Sequence, residues 1–108
     1  MDVPKKIRGQ QEPTYESEIK QTRLPGKGEV VGIIMQQLGF DRVMVKCNDG
    51  RTRLCRIPGR MKKRVWLRDG DVVLVAPWDF QFEQRGDVVW RYTRAQAEWL
   101  KNRGYLKL

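Results

Sequence analysis

A chain of 108 residues with 40% hydrophobic content has room for one domain and one modest core. Its 22 Lys and Arg against 13 Asp and Glu leave a formal net charge of +9, a balance that attracts polyanions. With no histidine and two cysteines, a histidine-based nucleophile and base pair is excluded and a zinc site lacks ligands, so a binding role is expected, with no enzyme activity, cofactor or metal.

Residues 1–27 carry six basic and four acidic residues, three prolines and two glycines among scattered bulky apolars. Such a stretch buries too little surface to offset chain entropy, and residues 1–23 read as a flexible, basic-leaning tail. No apolar segment of a signal peptide follows Met1, and the longest apolar run, Val72 to Ala76, is far short of a membrane span. A cytoplasmic address without membrane contact is expected.

Residues 24–93 carry a β pattern. Val30 to Met35 is a near-continuous apolar run whose Gly32 predicts a bend or bulge in a first strand serving two sheets of a small barrel. Arg42 to Cys47 alternate, with Val43, Val45 and Cys47 on one face and Arg42, Met44 and Lys46 on the other, so Arg42 and Lys46 face solvent or ligand. Asn48-Asp49-Gly50 predicts a hairpin turn into a returning strand. That hairpin puts Cys47 and Cys55 three or four residues out of register, roughly 10 Å apart and too far for a disulfide, so both read as reduced thiols.

The returning strand opens the most basic stretch of the chain: Arg51, Arg53, Arg56, Arg60, Lys62, Lys63 and Arg64 fall within fourteen residues that hold no acid. This density exceeds what blunting a strand edge requires and fits a phosphate-binding footprint. The adjacent apolars Leu54 and Cys55 leave the register of the strand open. Trp66 closes the segment; its neighbours Val65 and Leu67 would point the other way in extended backbone, leaving its ring to stack on a base.

Asp69-Gly70-Asp71 predicts a turn, Val72 to Ala76 a buried fourth strand ended by Pro77, and Trp78 to Asp87 a loop. Arg85-Gly86-Asp87 reads as a hairpin turn before a fifth strand, Val88 to Tyr92. The acids Asp69, Asp71, Asp79 and Asp87 read as turn formers. Residues 94–108 form a helix and short tail: Thr93 and Gln96 fit a capping box, Gly104 terminates the helix, and Ala95, Trp99 and Leu100 share the docking face. Arg94, Lys101 and Arg103 lie on its other, solubilising face.

Five short strands with a connection between the third and fourth make a mainly β chain with the pattern of an OB-fold barrel. The residues also resemble a family. Cys47-Asn48-Asp49-Gly50, Arg53 to Leu67 and Asp71 to Val75 are similar to translation initiation factor 1A, as are Trp78-Asp79-Phe80-Gln81 and Ala95 to Lys101. The likeness covers residues 24–104, and the chain looks like an archaeal member, without an acidic tail after the helix. A looser likeness to bacterial initiation factor 1 is confined to the barrel.

The resemblance implies an S1-like barrel that binds rRNA at the A site of the small ribosomal subunit. It implies promotion of initiator tRNA binding and initiation-complex assembly, as a monomer, with other initiation factors and no small-molecule substrate. RNA contact carries over to Arg42, Arg60, Lys62, Lys63, Arg64 and Trp66, and the residue pattern adds Lys46, Arg53 and Arg56. The rival readings are a general single-stranded RNA-binding protein or RNA chaperone, and an adaptor using Trp99, Tyr105, Leu106 and Leu108. A chaperone of the cold-shock type would interleave aromatics on the second and third strands, where this chain has none.

Overall fold

The computed structural model describes residues 15–39, 41–62 and 67–108. In chain order it contains α1 (Tyr15–Lys20), β1 (Val30–Gln37), β2 (Arg42–Cys47), β3 (Thr52–Arg56), the helical turn α2 (Gly59–Lys62), β4 (Val72–Pro77), β5 (Arg85–Arg91) and α3 (Arg94–Asn102). The strands close into a barrel in the order β1-β2-β3-β5-β4. Neighbours are antiparallel except β3 and β5, which run parallel through Leu54 and Arg85, Cys55 and Gly86, and Arg56 and Asp87. This is the OB-fold barrel expected from the strand spacing.

As expected, β1 serves two neighbours: Val30 to Ile33 pair with β4, and Gly32 to Gln37 pair with β2. Gly32 stands in the overlap, where a Cβ would lie 2.5 Å from Val45 Cγ1 and 2.9 Å from the Lys46 carbonyl oxygen. It is thus a point of close strand approach. The bulge expected at this glycine falls instead between Ile34 and Gln36, where the register with β2 shifts.

The interior is filled from alternating positions. Ile34, Val43, Val45, Cys47, Cys55, Val73, Val75 and Val88 pack inside the barrel, with Ile57, Met61 and Leu67 at its mouth. A second cluster lies outside the barrel wall, where Leu100 and Leu106 cover Val31, Leu74 and Tyr92. β4 is buried on both faces for this reason, which explains its unbroken apolar sequence. The Thr93 hydroxyl accepts from the Gln96 amide while the Gln96 side chain accepts from the Thr93 amide, completing the capping box. Gly104 ends α3 with φ of 84°. Leu100 is the buried contact of the expected docking face. Trp99 is half-buried and stacks on Tyr105 at 6.0 Å, with the Arg103 guanidinium 5.3 Å from its ring. Leu106 and Leu108 pack on the same side, so the apolar positions of the adaptor reading are largely spent on the fold.

Two expectations are corrected. Residues 15–23 are not a structureless tail: α1 lies against α3, and the Tyr92 hydroxyl donates to the Arg23 carbonyl. Burial at this junction pushes the Tyr92 pKa up to about 12. Residues 1–14 of the expected tail lie outside the described residues. Arg85-Gly86-Asp87 is not a hairpin turn but the start of β5, because β3 supplies a parallel partner that local sequence does not reveal. Gly86 is buried there, and a Cβ would meet Val75 Cγ1 at 2.8 Å. No helix among the described residues is long and apolar enough to cross a membrane.

Candidate nucleic-acid interface

The outward faces of β2 and β3 form one strip. Register pairs Arg42 with Arg56, Met44 with Leu54, and Lys46 with Thr52. Arg42, Lys46, Thr52 and Arg56 are exposed, while Met44 and Leu54 are half-buried between them. The strip therefore has an apolar centre flanked by cations at both ends. Arg42 and Arg56 are directly opposite across an antiparallel pair, an arrangement that costs stability unless an anion is supplied. Arg56 shares Asp87 with the Trp78 indole, at 3.4 Å from the guanidinium and 2.9 Å from the indole nitrogen. Arg42, Lys46 and Arg60 have no acidic partner among the described residues.

At the end of β3 the chain turns through Pro58 into α2, a helical turn where the sequence predicted only a basic loop. Met61 and Leu67 are both buried with the barrel core. Arg60 is exposed on α2, and the backbone of Lys62 completes the turn. Lys63, Arg64 and Trp66 lie outside the described residues, so the expected stacking role of Trp66 has no geometry here.

Arg53 is corrected. The sequence pattern groups it with the phosphate contacts, yet it shares the inward parity of Cys55 and is only 2% exposed. Its guanidinium donates to both carboxylate oxygens of Asp49, at 3.2 and 2.9 Å, and its Nε donates to the Phe82 carbonyl at 2.6 Å. The hydrogen bonds from Arg53 hold the Asp49 carboxyl below its usual range. Because the folded pKa is depressed, this pair stabilises the fold above the unfolded value near about 4 and is lost as pH falls through the folded value. Arg53 thus joins the hairpin turn to the β4–β5 loop and is unavailable to a ligand.

One cation was missed. In the parallel register Arg85 stands beside Leu54 on the outer face, half-buried and without an acidic partner among the described residues. Its place in Arg85-Gly86-Asp87, a tripeptide with the composition of a turn, hides this position in the sequence. The alternation of β5, with Gly86 and Val88 inward, is the signal that could have found it.

The thiols of Cys47 and Cys55 are free and buried, as expected. Burial raises both pKa values, that of Cys55 to about 12, so neither provides thiolate at neutral pH. Native protein is expected not to react with a chromogenic disulfide reagent, and both thiols should titrate at once in denaturant. Fast native labelling of either would show that the barrel opens readily between β2 and β3.

The chain is 54% identical over 91 residues to Translation initiation factor 1A of Methanothermobacter thermautotrophicus, covering 84% of this chain and 92% of that protein. It is 60% identical over 88 residues to Translation initiation factor 1A of Methanopyrus kandleri, covering 82% and 78%. Among solved structures, YjeQ from Thermotoga maritima superposes with a TM-score of 0.51 at 20% identity, over 61% of this chain and 23% of that one, a likeness of fold alone. Residues 19–107 match the family model described as Translation initiation factor 1A / IF-1, and the chain belongs to that family.

Proposed function

We propose that this protein acts in translation initiation by binding rRNA at the A site of the small ribosomal subunit, promoting initiator tRNA binding and initiation-complex assembly with other factors. The observation that carries the RNA contact is the strip of β2 and β3, where Arg42 and Arg56 oppose each other with Lys46 and Arg60 unpaired nearby. Phosphates supply the anion that Arg42, Lys46 and Arg60 lack, and the apolar centre of Met44 and Leu54 offers a surface to bases splayed from irregular rRNA. The general RNA-chaperone reading is weaker, because the strip holds no aromatic on which successive bases could stack. A fixed ribosomal site needs shape and charge rather than a stacking ladder. Lys62, Lys63, Arg64 and Trp66 extend the surface in this reading.

The test is binding to small subunits across a salt series, with chemical footprinting of the rRNA. Replacing Arg42, Lys46, Arg56 and Arg60 together by alanine is expected to lower affinity and to shrink the slope of log K against log salt by about 3 units if all four touch phosphate. An unchanged slope would remove this strip from the interface. Protection spread over many unrelated rRNA segments would favour the general RNA-binding reading instead.

A further inference from the structure

The loop between β4 and β5, Trp78 to Gln84, carries three aromatics and two acids and no cation. Phe80 is 76% exposed and Phe82 52%, a large apolar display for one short loop. The loop is nevertheless pinned. The Phe82 carbonyl accepts from Arg53 at 2.6 Å, the Gln84 carbonyl accepts from the Leu54 amide at 2.9 Å, and Glu83 pairs with Arg51 at 2.8 Å. Gln81 takes a positive φ of 61°, and its carbonyl accepts from the amides of Gln84 and Arg85, closing the tip into a tight turn. Two exposed rings held by a fixed backbone form a preorganised surface, for which the ordering cost of binding is already met.

This surface lies at the hairpin-turn end of β3, whereas α2 lies at the other end, roughly 17 Å away across five strand residues. Its charge is also opposite to that of the strip. The cleft under the loop is lined by Glu29, Asp49 and Asp79 with Trp78 and Phe82. The one cation lining it, Arg53, is buried and paired with Asp49. Asp79 has no cationic partner among the described residues. Glu29 is already paired with Arg23 at 3.0 Å, as Asp49 is with Arg53, so Asp79 is the carboxylate left to a ligand; an RNA strand would bring phosphates toward it, whereas a Lys or Arg side chain would find an unpaired carboxylate beside aromatic faces.

We infer that the β4–β5 loop is a second docking surface, which receives an extended cationic segment of a partner protein. The partner's apolar side chains pack on Phe80 and Phe82, and its cationic side chains enter the cleft beside Asp79. This assignment does not depend on the RNA reading, since it uses different residues and the opposite charge.

The probe is a capped ten-residue peptide of alternating Arg and Leu, titrated into the full isotope-labelled chain and followed by amide resonances. Amides of Trp78 to Gln84, Glu29 and Asp49 are expected to shift, while those of Arg42 and Arg60, at the other end of the strip, stay in place. Replacing both phenylalanines, as Phe80→Ser with Phe82→Ser, is expected to weaken peptide binding about tenfold, and Asp79→Lys to weaken it comparably. Both variants change exposed side chains and should melt with the parent. Equal binding of a capped Asp and Leu peptide would overturn the charge assignment. Loop shifts caused by oligouridylate instead would make the loop an RNA surface. Concentration-dependent loop shifts without peptide, with sedimentation as a dimer, would mean that a second copy is the occupant. No loop shift under any of these conditions would end the proposal.

Discussion

Gly32→Ala is expected to lower the thermal midpoint by about 10–20 °C, corresponding to roughly 2–3 kcal/mol in a domain of this size. The added methyl would stand 2.5 Å from Val45 Cγ1 and 2.9 Å from the Lys46 carbonyl oxygen. Val45 is β-branched and buried inside the barrel, so its methyl has no free rotamer into which to retreat. The carbonyl belongs to β2, which is held on both sides by β1 and β3. Relief therefore requires β1 and β2 to separate, weakening the ladder at the point where β1 is shared. Denaturant melts read this directly. A loss under about 0.5 kcal/mol would mean that the strands separate there at little cost and that the overlap at Gly32 is not a tight constraint.

The second large effect is expected at Arg53. Arg53→Ala should cost about 2–4 kcal/mol, through lost packing of the buried stem and the Phe82 carbonyl left without its donor. The figure sits below that of a fully buried pair because the Asp49 side chain is 39% exposed and water can solvate its carboxylate. Arg53→Met restores the stem but not the hydrogen bonds, and should recover part of the stability. In both variants the Gln84 and Arg85 amides should exchange faster with solvent, since the loop has lost one of its anchors. The salt dependence of RNA binding should remain that of the parent. A reduced salt slope in Arg53→Met would mean that this guanidinium reaches phosphate after all, against its burial.

What could be read beforehand divides along the range of the interactions involved. The β2 face, the Asp49-Gly50 turn and the Thr93–Gln96 cap were legible because each depends on residues within a few positions. The candidate cations Arg42 and Lys46 came out exposed for the same reason, since period-2 alternation fixed them. Local pattern misplaces Arg53 because Leu54 and Cys55 are both apolar, which gives no rule for which of them faces the core. The barrel decides it: the β2–β3 register and the β3–β5 pairing turn Cys55 inward, and Arg53 follows. Arg85 and Gly86 resemble turn residues until a strand 31 positions away is placed beside them, as Cys55 is beside Gly86. The helix at Tyr15–Lys20 is short and weakly apolar, and its contact with α3 lies more than seventy positions further on.

The parallel pairing of β3 with β5 also has a consequence for the nascent chain. During synthesis β1, β2 and β3 emerge as a meander, but the open side of β3 has no partner until Arg85 to Asp87 have left the exit tunnel. At ordinary elongation rates the roughly thirty intervening residues leave that side bare for a few seconds. An unpaired strand of this kind is a template for intermolecular pairing. Here its five residues include Arg53 and Arg56, so the waiting edge is charged at two of its positions. The arginine later buried against Asp49 thus spends the unfinished stage as a solvated gatekeeper, repelling other copies of the same edge until β5 arrives to cover it.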